Sequence, residues 1–251
     1  MSVAPILAVQ RLGKRFGAFV ALKDVTVAFP AGQLSAIIGP NGAGKSTLFN
    51  VISGAFAPSS GRVVFEGRDI TGLAKNQQHQ FARIGIAKSF QITNVFKQLS
   101  AFENVRVAAQ MRQARFEIFK PRAALREVAE QAEALLQRVG LADVRHQAAG
   151  DLAHGQQRAL EIAMALAPQP RLLLMDEPTA GMSPEETTLM MDLITTLAAE
   201  RTVVLVEHKM KLVMGICQRL VVLHHGELLA EGTPEQIRHN DDVKRVYLGQ
   251  G

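Results

Sequence analysis

The chain has 251 residues, 47% hydrophobic and 20% charged, which suits one large globular domain or a core with a subdomain. No apolar run approaches the roughly 20 residues of a membrane helix, we expect no signal peptide, and the single Cys217 excludes an intrachain disulfide. The 28 basic and 23 acidic residues give a net charge of +5 but are mixed along the chain, which favours an ordinary surface over one that binds nucleic acid.

The first part of the chain is predicted to be rich in β-strands. Residues 6–9 and 25–29 are mostly apolar and include several β-branched residues, which is typical of strands, and the Pro-Ala-Gly sequence at 30–32 predicts a turn after them. Phe16, which precedes Gly17, is either a core residue or an aromatic platform for stacking an adenine ring.

Residues 39–47 read Gly-Pro-Asn-Gly-Ala-Gly-Lys-Ser-Thr and match the phosphate-loop pattern G-x-x-x-x-G-K-[ST]. Glycines let such a loop wrap a phosphate chain with its N–H groups pointing inward. Lys45 would add a charge at the β- and γ-phosphates, and the Ser46 hydroxyl would bind Mg²⁺. A glycine-rich turn is the alternative, but an apolar strand pattern precedes the loop and a helical pattern follows it. The predicted phosphate-binding residues are Gly39, Asn41, Gly42, Ala43, Gly44, Lys45, Ser46 and Thr47.

The middle of the chain changes character. Gln91 follows a strand-like segment at 84–90, and its amide could either cap a loop or reach a metal ion. Between about 99 and 150, helix-forming residues dominate, and 122–139 has helical apolar spacing, which predicts a helical layer inserted between two halves of an α/β core. A helix then opens near Gly155 and is a second candidate anion site, whereas His154 alone is more typical of a surface position.

Two apolar segments further on predict strands buried on both faces, at 172–175 and 202–206. The first ends in Asp176 and Glu177, and the second in Glu207 and His208. Ligands bind at such strand ends in open α/β sheets, so we expect Asp176 to face Mg²⁺ and Glu177 a water. His208 would share this edge, either holding a γ-phosphate or water or serving a structural role.

Together these residues resemble, in order and over almost the whole chain, the ATP-binding subunit of an ABC transporter. The corresponding motifs are the Walker A loop at 39–46, the Q-loop at Gln91, the Walker B strand at 172–176, the catalytic carboxylate Glu177, the D-loop at 180–183, the switch histidine His208 and the adenine-stacking Phe16. The resemblance implies an α/β fold with a P-loop NTPase (RecA-like) core at 1–95 and 165–251. It also implies an N-terminal antiparallel β subdomain and a helical subdomain inserted at 96–164.

The resemblance further implies an ATPase that uses ATP and Mg²⁺. Lys45, Glu177 and His208 would be catalytic, and Ser46, Gln91 and Asp176 would arrange the metal. Two such subunits would close head to tail, so that each signature motif contacts the nucleotide of the other subunit. Here the motif reads Leu-Ala-His-Gly-Gln at 152–156 instead of Leu-Ser-Gly-Gly-Gln, and its nucleotide-contacting residues would be Ala153, His154, Gly155 and Gln156. Ala153 lacks the hydroxyl of the usual serine and an N-cap acceptor worth about 1 kcal/mol.

Within the family, the chain is most similar to the LivG-type ATPases of branched-chain amino-acid importers, in the 206–214 stretch and in the Tyr-Leu-Gly ending. This implies two membrane permease subunits, an indirect link to a periplasmic or extracellular solute-binding protein, and a place on the cytoplasmic face of the inner membrane. The altered signature predicts a different ATPase subunit as partner, with a homodimer as the alternative. Two other functions stay open: a lipopolysaccharide-type exporter, and a soluble ABC ATPase acting on nucleic acid, which the basic balance suggests.

Overall fold

The computed structural model describes residues 4–73, 78–89, 95–113 and 122–248, and within these ranges the chain forms ten strands and nine α-helices. The strands are β1 (Pro5–Phe16), β2 (Phe19–Pro30), β3 (Leu34–Ile38), β4 (Ser60–Phe65), β5 (Arg68–Asp69), β6 (Ile86–Ser89), β7 (Leu172–Asp176), β8 (Thr202–Val206), β9 (Arg219–His224) and β10 (Glu227–Gly232). The helices are α1 (Lys45–Ile52), α2 (Gln78–Ile84), α3 (Ala101–Gln113), α4 (Arg122–Arg138), α5 (His154–Leu166), α6 (Pro184–Ala198), α7 (Met210–Ile216), α8 (Pro234–His239) and α9 (Asp241–Leu248). In these same ranges, every helix is too short or too polar to cross a membrane.

A six-stranded sheet in the order β10-β9-β3-β8-β7-β6 forms the centre of the fold. Its strands are parallel except β10, which pairs antiparallel with β9 at one edge. The register pairs Ile37 with Val206, and Val206 with Asp176. The segments that follow β3, β7 and β8 therefore leave the sheet at the same edge, as the sequence predicted.

The parallel strands are buried on both faces because their apolar residues alternate between two hydrophobic clusters. On β7, Leu173 and Met175 belong to the cluster that includes helices α5 and α6. Leu172 and Leu174 belong to the other cluster, together with Phe49 of α1 and residues of β1, β2 and β4. Every residue of β3, β7 and β8 is buried, which explains why these segments read as continuous apolar runs.

A second, antiparallel sheet has the order β2-β1-β4-β5 and covers the cluster around α1. It confirms the antiparallel β region predicted at the start of the chain, and with the parallel sheet it confirms the α/β P-loop fold class. The antiparallel arrangement follows from short connections, since only Gly17 and Ala18 separate β1 from β2.

Helices α3, α4 and α5 form the predicted helical layer in the described part of the 96–164 region. The spacing that predicted α4 places Val128, Ala132 and Leu136 in the buried interior. Gly140, shortly after the end of α4, has φ +74°, a conformation typical of a glycine that follows a helix. The exact subdomain boundaries, at 95/96 and 164/165, stay predictions.

The two sides of α6 allow a matched test of the packing. Leu197 is fully buried, whereas Leu189 is 70% exposed on the same helix. We expect Leu197→Ala to lower the free energy of unfolding by about 2–5 kcal/mol, because it leaves a cavity in the core. Leu189→Ala should change it by less than about 0.5 kcal/mol. Urea denaturation of both variants measures the difference, and equal losses would contradict the packing described for α6.

Candidate nucleotide-binding site

The 39–47 loop joins the end of β3 to the start of α1 and lies tightly against its neighbours. A Cβ on Gly39 would lie 2.3 Å from the carbonyl oxygen of Leu223 in β9. A Cβ on Gly44, which has φ +99°, would lie 2.9 Å from the carbonyl oxygen of Ala21 in β2. Both positions therefore exclude a side chain, and the backbone of the loop is fixed by the two sheets.

The Lys45 ammonium group is held inside this loop. It donates to the carbonyl oxygens of Gly39, at 2.8 Å, and Pro40, at 2.9 Å. Burial lowers the pKa of Lys45, and the nearby carboxylates of Glu177 and Asp176 oppose this by favouring the charged form. The predicted anion site thus contains one buried positive charge that the two strand-end carboxylates help to keep protonated.

The other predicted residues of the loop differ in their exposure to solvent. Asn41, Gly42 and Ser46 are exposed, Gly44 and Thr47 are half-buried, and Ala43 is buried. The N–H of Gly226, in the turn between β9 and β10, donates to the carbonyl oxygen of Ala43 at 3.0 Å. The exposed residues, including the Ser46 hydroxyl, are therefore those that a ligand could reach at the first turn of α1.

Asp176 lies at the end of β7 and is 5% exposed. Burial raises the pKa of Asp176, the ammonium group of Lys88 lowers it, and Glu177 raises it further. The guanidinium of Arg158, on α5, donates to the Asp176 carbonyl oxygen at 2.7 Å and pairs with Glu161. The carboxylate is thus a buried anion close to several cations at the edge where the phosphate loop also lies.

This donor chemistry fits a magnesium ion. Mg²⁺ binds through one or two carboxylates, hydroxyl groups and substrate phosphates, and it keeps several waters. Asp176 and the exposed Ser46 hydroxyl provide such oxygen donors. Within the described ranges no group of three or more His, Cys, Asp or Glu side chains could hold a metal ion. A site built on one carboxylate and one hydroxyl does not require such a group, so the predicted set stays a prediction.

Glu177 and His208 lie together at the same edge. His208 Nδ1 is 3.7 Å from Glu177 Oε1. The N–H of Glu177 donates to the carbonyl oxygen of Val206 at 3.0 Å, which ties it to the end of β8. Glu177 has φ +44°, a left-handed conformation that is costly for a residue with a side chain. The structure therefore brings together the two strand ends that the sequence placed side by side.

Glu207 is a structural member of this edge that sequence reasoning did not single out. It is fully buried and accepts hydrogen bonds from the Thr179 hydroxyl, from the N–H of His208 at 2.9 Å and from the N–H of Lys209 at 3.1 Å. A charged residue directly after a buried apolar strand indicates that hydrogen-bond or ion-pair partners lie nearby, because a buried charge is costly without them. The partner Thr179, however, lies 28 residues away and could not be identified from the pattern.

The signature residues lie at the start of α5. Ala153 is the N-cap and makes no side-chain capping bond, as predicted, although its N–H donates to Gln156 Oε1 at 3.0 Å. The Gly155 N–H donates to Glu186 Oε1 at 3.2 Å, and His154 Nε2 lies 3.2 Å from the Ala180 carbonyl oxygen. These contacts join the signature to the first turn of α6 and to the segment before it, so the exposed His154 also has a contact within the chain.

Two further residues, Phe16 and Gln91, were predicted to contact the nucleotide or its metal ion. Phe16 is 43% exposed, and its ring packs edge-on against Phe56 with centroids 5.5 Å apart, so it is not a core residue. The ammonium group of Lys14 lies 4.8 Å from the centroid of the Phe16 ring. Stacking of an adenine on Phe16 stays a prediction, and Gln91 lies outside the described residues.

The Glu207 interactions can be tested by a pair of substitutions. Glu207→Ala leaves the Thr179 hydroxyl and two backbone N–H groups without their acceptor, so we expect a loss of at least about 2 kcal/mol of unfolding free energy. Glu207→Gln should stay within about 1 kcal/mol of the wild type, because its amide can accept from the N–H groups and donate to Thr179.

ATP hydrolysis, measured below the unfolding temperature, should fall about tenfold or more in Glu207→Ala, since His208 loses its backbone anchor. Glu130→Ala on the exposed face of α4 serves as the control, with Glu130 67% exposed. Full activity and stability of Glu207→Ala would show that this carboxylate does not position the His208 backbone.

Comparisons with known proteins show the family to which the chain is similar. Residues 22–180 match the model of the ABC transporter family, and residues 227–251 match that of the branched-chain amino acid ATP-binding cassette transporters. The high-affinity branched-chain amino acid transport ATP-binding protein BraF of Pseudomonas aeruginosa is 43% identical over 98% of both chains. LivG of Escherichia coli is 40% identical, and the lipopolysaccharide export ATP-binding protein LptB of Acidithiobacillus ferridurans is 35% identical, each over 98% of both chains.

Solved structures give the same result. The ADP conformation of an ATP-binding cassette of an ABC transporter aligns with a TM-score of 0.85 at 31% identity, covering 98% of this chain and all of that chain (100%). A nucleotide-free cassette aligns with a TM-score of 0.80 at 30% identity, over 98% of this chain and 96% of that one. The chain therefore belongs to the ABC transporter family, in which it is an ATP-binding cassette ATPase.

Proposed function

We propose that this chain hydrolyses MgATP to drive the import of branched-chain amino acids through separate membrane subunits. The observation that carries the proposal is the convergence of Lys45, Glu177 and His208 at one edge of the parallel sheet, in a chain whose C-terminal residues match the branched-chain amino acid cassettes. We place the protein at the cytoplasmic face of the inner membrane, where ATP is available.

The chemistry is positioning combined with stabilisation of charge. Backbone N–H groups of the 39–47 loop and the Lys45 ammonium group bind the phosphates. Glu177 orients and polarises the attacking water, and His208, 3.7 Å from Glu177, steadies the γ-phosphate. When bound, Mg²⁺ neutralises charge on the β- and γ-phosphates, and Ser46, Gln91 and Asp176 would hold it. Phe16 would stack on the adenine.

Two cassettes would close head to tail around the nucleotides. Ala153, His154, Gly155 and Gln156 of one subunit would then contact the nucleotide bound to the other. The exposure of Ala153 at the N-terminus of α5 supports this, because a helix N-terminus attracts a phosphate. Closure and reopening would move two permease subunits between inward-facing and outward-facing states, with a solute-binding protein acting on their far side.

Branched-chain amino acids are favoured as the solute because the relatives named for that transport are 40–43% identical, whereas the lipopolysaccharide export proteins are 31–35% identical. The match of residues 227–251 supports the same choice. Transport of lipopolysaccharide is therefore the second candidate. The mixed charges of the chain give no support to a function on nucleic acid.

The role of Glu177 can be tested directly. Glu177→Gln should keep ATP binding and reduce turnover by about a thousandfold, because the amide cannot polarise the attacking water. Glu130→Gln, at an exposed glutamate, is the matched control and should hydrolyse ATP at the wild-type rate. Nucleotide binding and phosphate release are measured on the same preparations. Undiminished phosphate release by Glu177→Gln would exclude Glu177 as the catalytic carboxylate.

The partner subunits can be identified by purifying the tagged chain from solubilised membranes. We expect to recover permease subunits and a second ATPase that carries a complete signature, because Ala153 lacks the serine hydroxyl of the usual motif. The complex should hydrolyse ATP faster when leucine and its solute-binding protein are present. A fully active homodimer would contradict the heterodimer, and recovery of lipopolysaccharide-transport subunits would contradict the proposed solute.

A further inference from the structure

A cleft of about 610 Å³ lies at the edge of the parallel sheet opposite to the nucleotide site. Gly32, Arg171 and Thr202 line it, and they lie at or just before the starts of β3, β7 and β8. The phosphate loop, Asp176 and Glu177 lie at the other ends of the same strands. Residues of helix α4 line the cleft as well, and we name it the basal cleft. Its size is within the range of small-molecule sites.

Two of the three arginines that line the basal cleft are arranged around one carboxylate, and the third, Arg171, pairs with Glu66. Glu200 Oε2 lies 2.5 Å from Arg138 Nη2 and 3.6 Å from Arg201 Nη2. The Arg201 Nε is buried and, among the described residues, donates to no acceptor. Burial lowers the pKa of Arg201, and the charge of Arg138 lowers it further. Two guanidinium groups thus share one carboxylate, which leaves an excess positive charge and an unused buried donor.

The rest of the lining combines polar residues, among them Gln131 and Gln169, with an aliphatic part. The aliphatic part consists of Leu135 of α4, Leu166 of α5 and Pro170. Leu166 also belongs to the hydrophobic cluster that includes α5 and α6, and Leu135 packs against this cluster. Glu200 has 55% of its side chain exposed, so its carboxylate remains accessible to a cation. The cleft therefore offers a site for an anion, a site for a cation and an aliphatic surface, all in one cavity.

We propose that the basal cleft binds a free amino acid with a branched aliphatic side chain. The α-carboxylate contacts Arg138 and Arg201, the α-ammonium contacts Glu200, and the side chain packs on Leu135, Leu166 and Pro170. A phosphate would use the arginines but not the apolar wall, and an aliphatic carboxylate would leave Glu200 unused. The proposal rests on the proposed function, since the ligand belongs to the class of solute that the transporter delivers to this side of the membrane.

The test is isothermal titration calorimetry of the purified full-length chain with L-leucine. Isocaproate, which lacks the ammonium group, isoamylamine, which lacks the carboxylate, and inorganic phosphate are titrated in parallel. Leucine should bind, and each of the other three should bind at least about tenfold more weakly. An absence of leucine binding, or equal binding of phosphate or isocaproate, would overturn the proposal.

Two variants locate the binding. Arg138→Gln and Arg201→Gln should each weaken leucine binding by at least about tenfold. Arg126→Gln is the matched control on the same helix, where Arg126 is 84% exposed, and it should bind leucine as the wild type does. Thermal unfolding and ATP binding establish that the variants are folded. Unchanged leucine affinity in both folded cleft variants would overturn the proposal.

Transport by the complete complex separates this inference from the proposed function. If leucine is transported but fails to bind the isolated chain, only the basal cleft proposal fails. If leucine binds in the cleft but the complex transports no amino acid, the proposed solute fails while the binding site stands.

Discussion

Burial of charge at one edge of the parallel sheet is the constraint on which the rest of the structure depends. Burial lowers the pKa of Lys45 and of Lys88, and burial raises the pKa of Asp176. The opposite charges of these groups offset part of that cost but not all of it. A triphosphate with a divalent cation brings charges of both signs to the same place. The site therefore gives up some folding stability for binding, as functional sites commonly do.

The sheet holds these charges in place because its register is strictly determined. Each central strand has one set of alternate residues in the α5–α6 cluster and the other set in the α1 cluster. A shift of one residue would exchange the two faces of a strand, and in β7 it would also move Asp176 and Glu177 away from Val206. The apolar packing of the strands thus sets the position of the carboxylates.

Local patterns in the sequence predicted most of this arrangement. Contacts between residues far apart in the sequence could not be predicted from such patterns. The phosphate loop, the two buried strands and the apolar face of α4 each have a pattern confined to a short segment. The hydrogen bond from Thr179 to Glu207 and the joining of Arg138 to Glu200 depend on how separate segments pack. The exposure of Phe16 could not be predicted from the sequence pattern either, because it depends on the end of β1 and on the contact with Phe56.

The segment between β7 and α6 connects the sheet edge that holds Glu177 and His208 to the signature within one subunit. Glu177 begins this segment, and Thr179 bonds to Glu207, which in turn binds the backbone of His208. A few residues later the Ala180 carbonyl contacts His154, and in the first turn of α6 Glu186 accepts a hydrogen bond from the N–H of Gly155. Contacts within one subunit thus run from the neighbourhood of Glu177 to the start of α5. If two cassettes pair head to tail as proposed above, with Gly155 against the partner's nucleotide, this segment would lie between the two nucleotide sites.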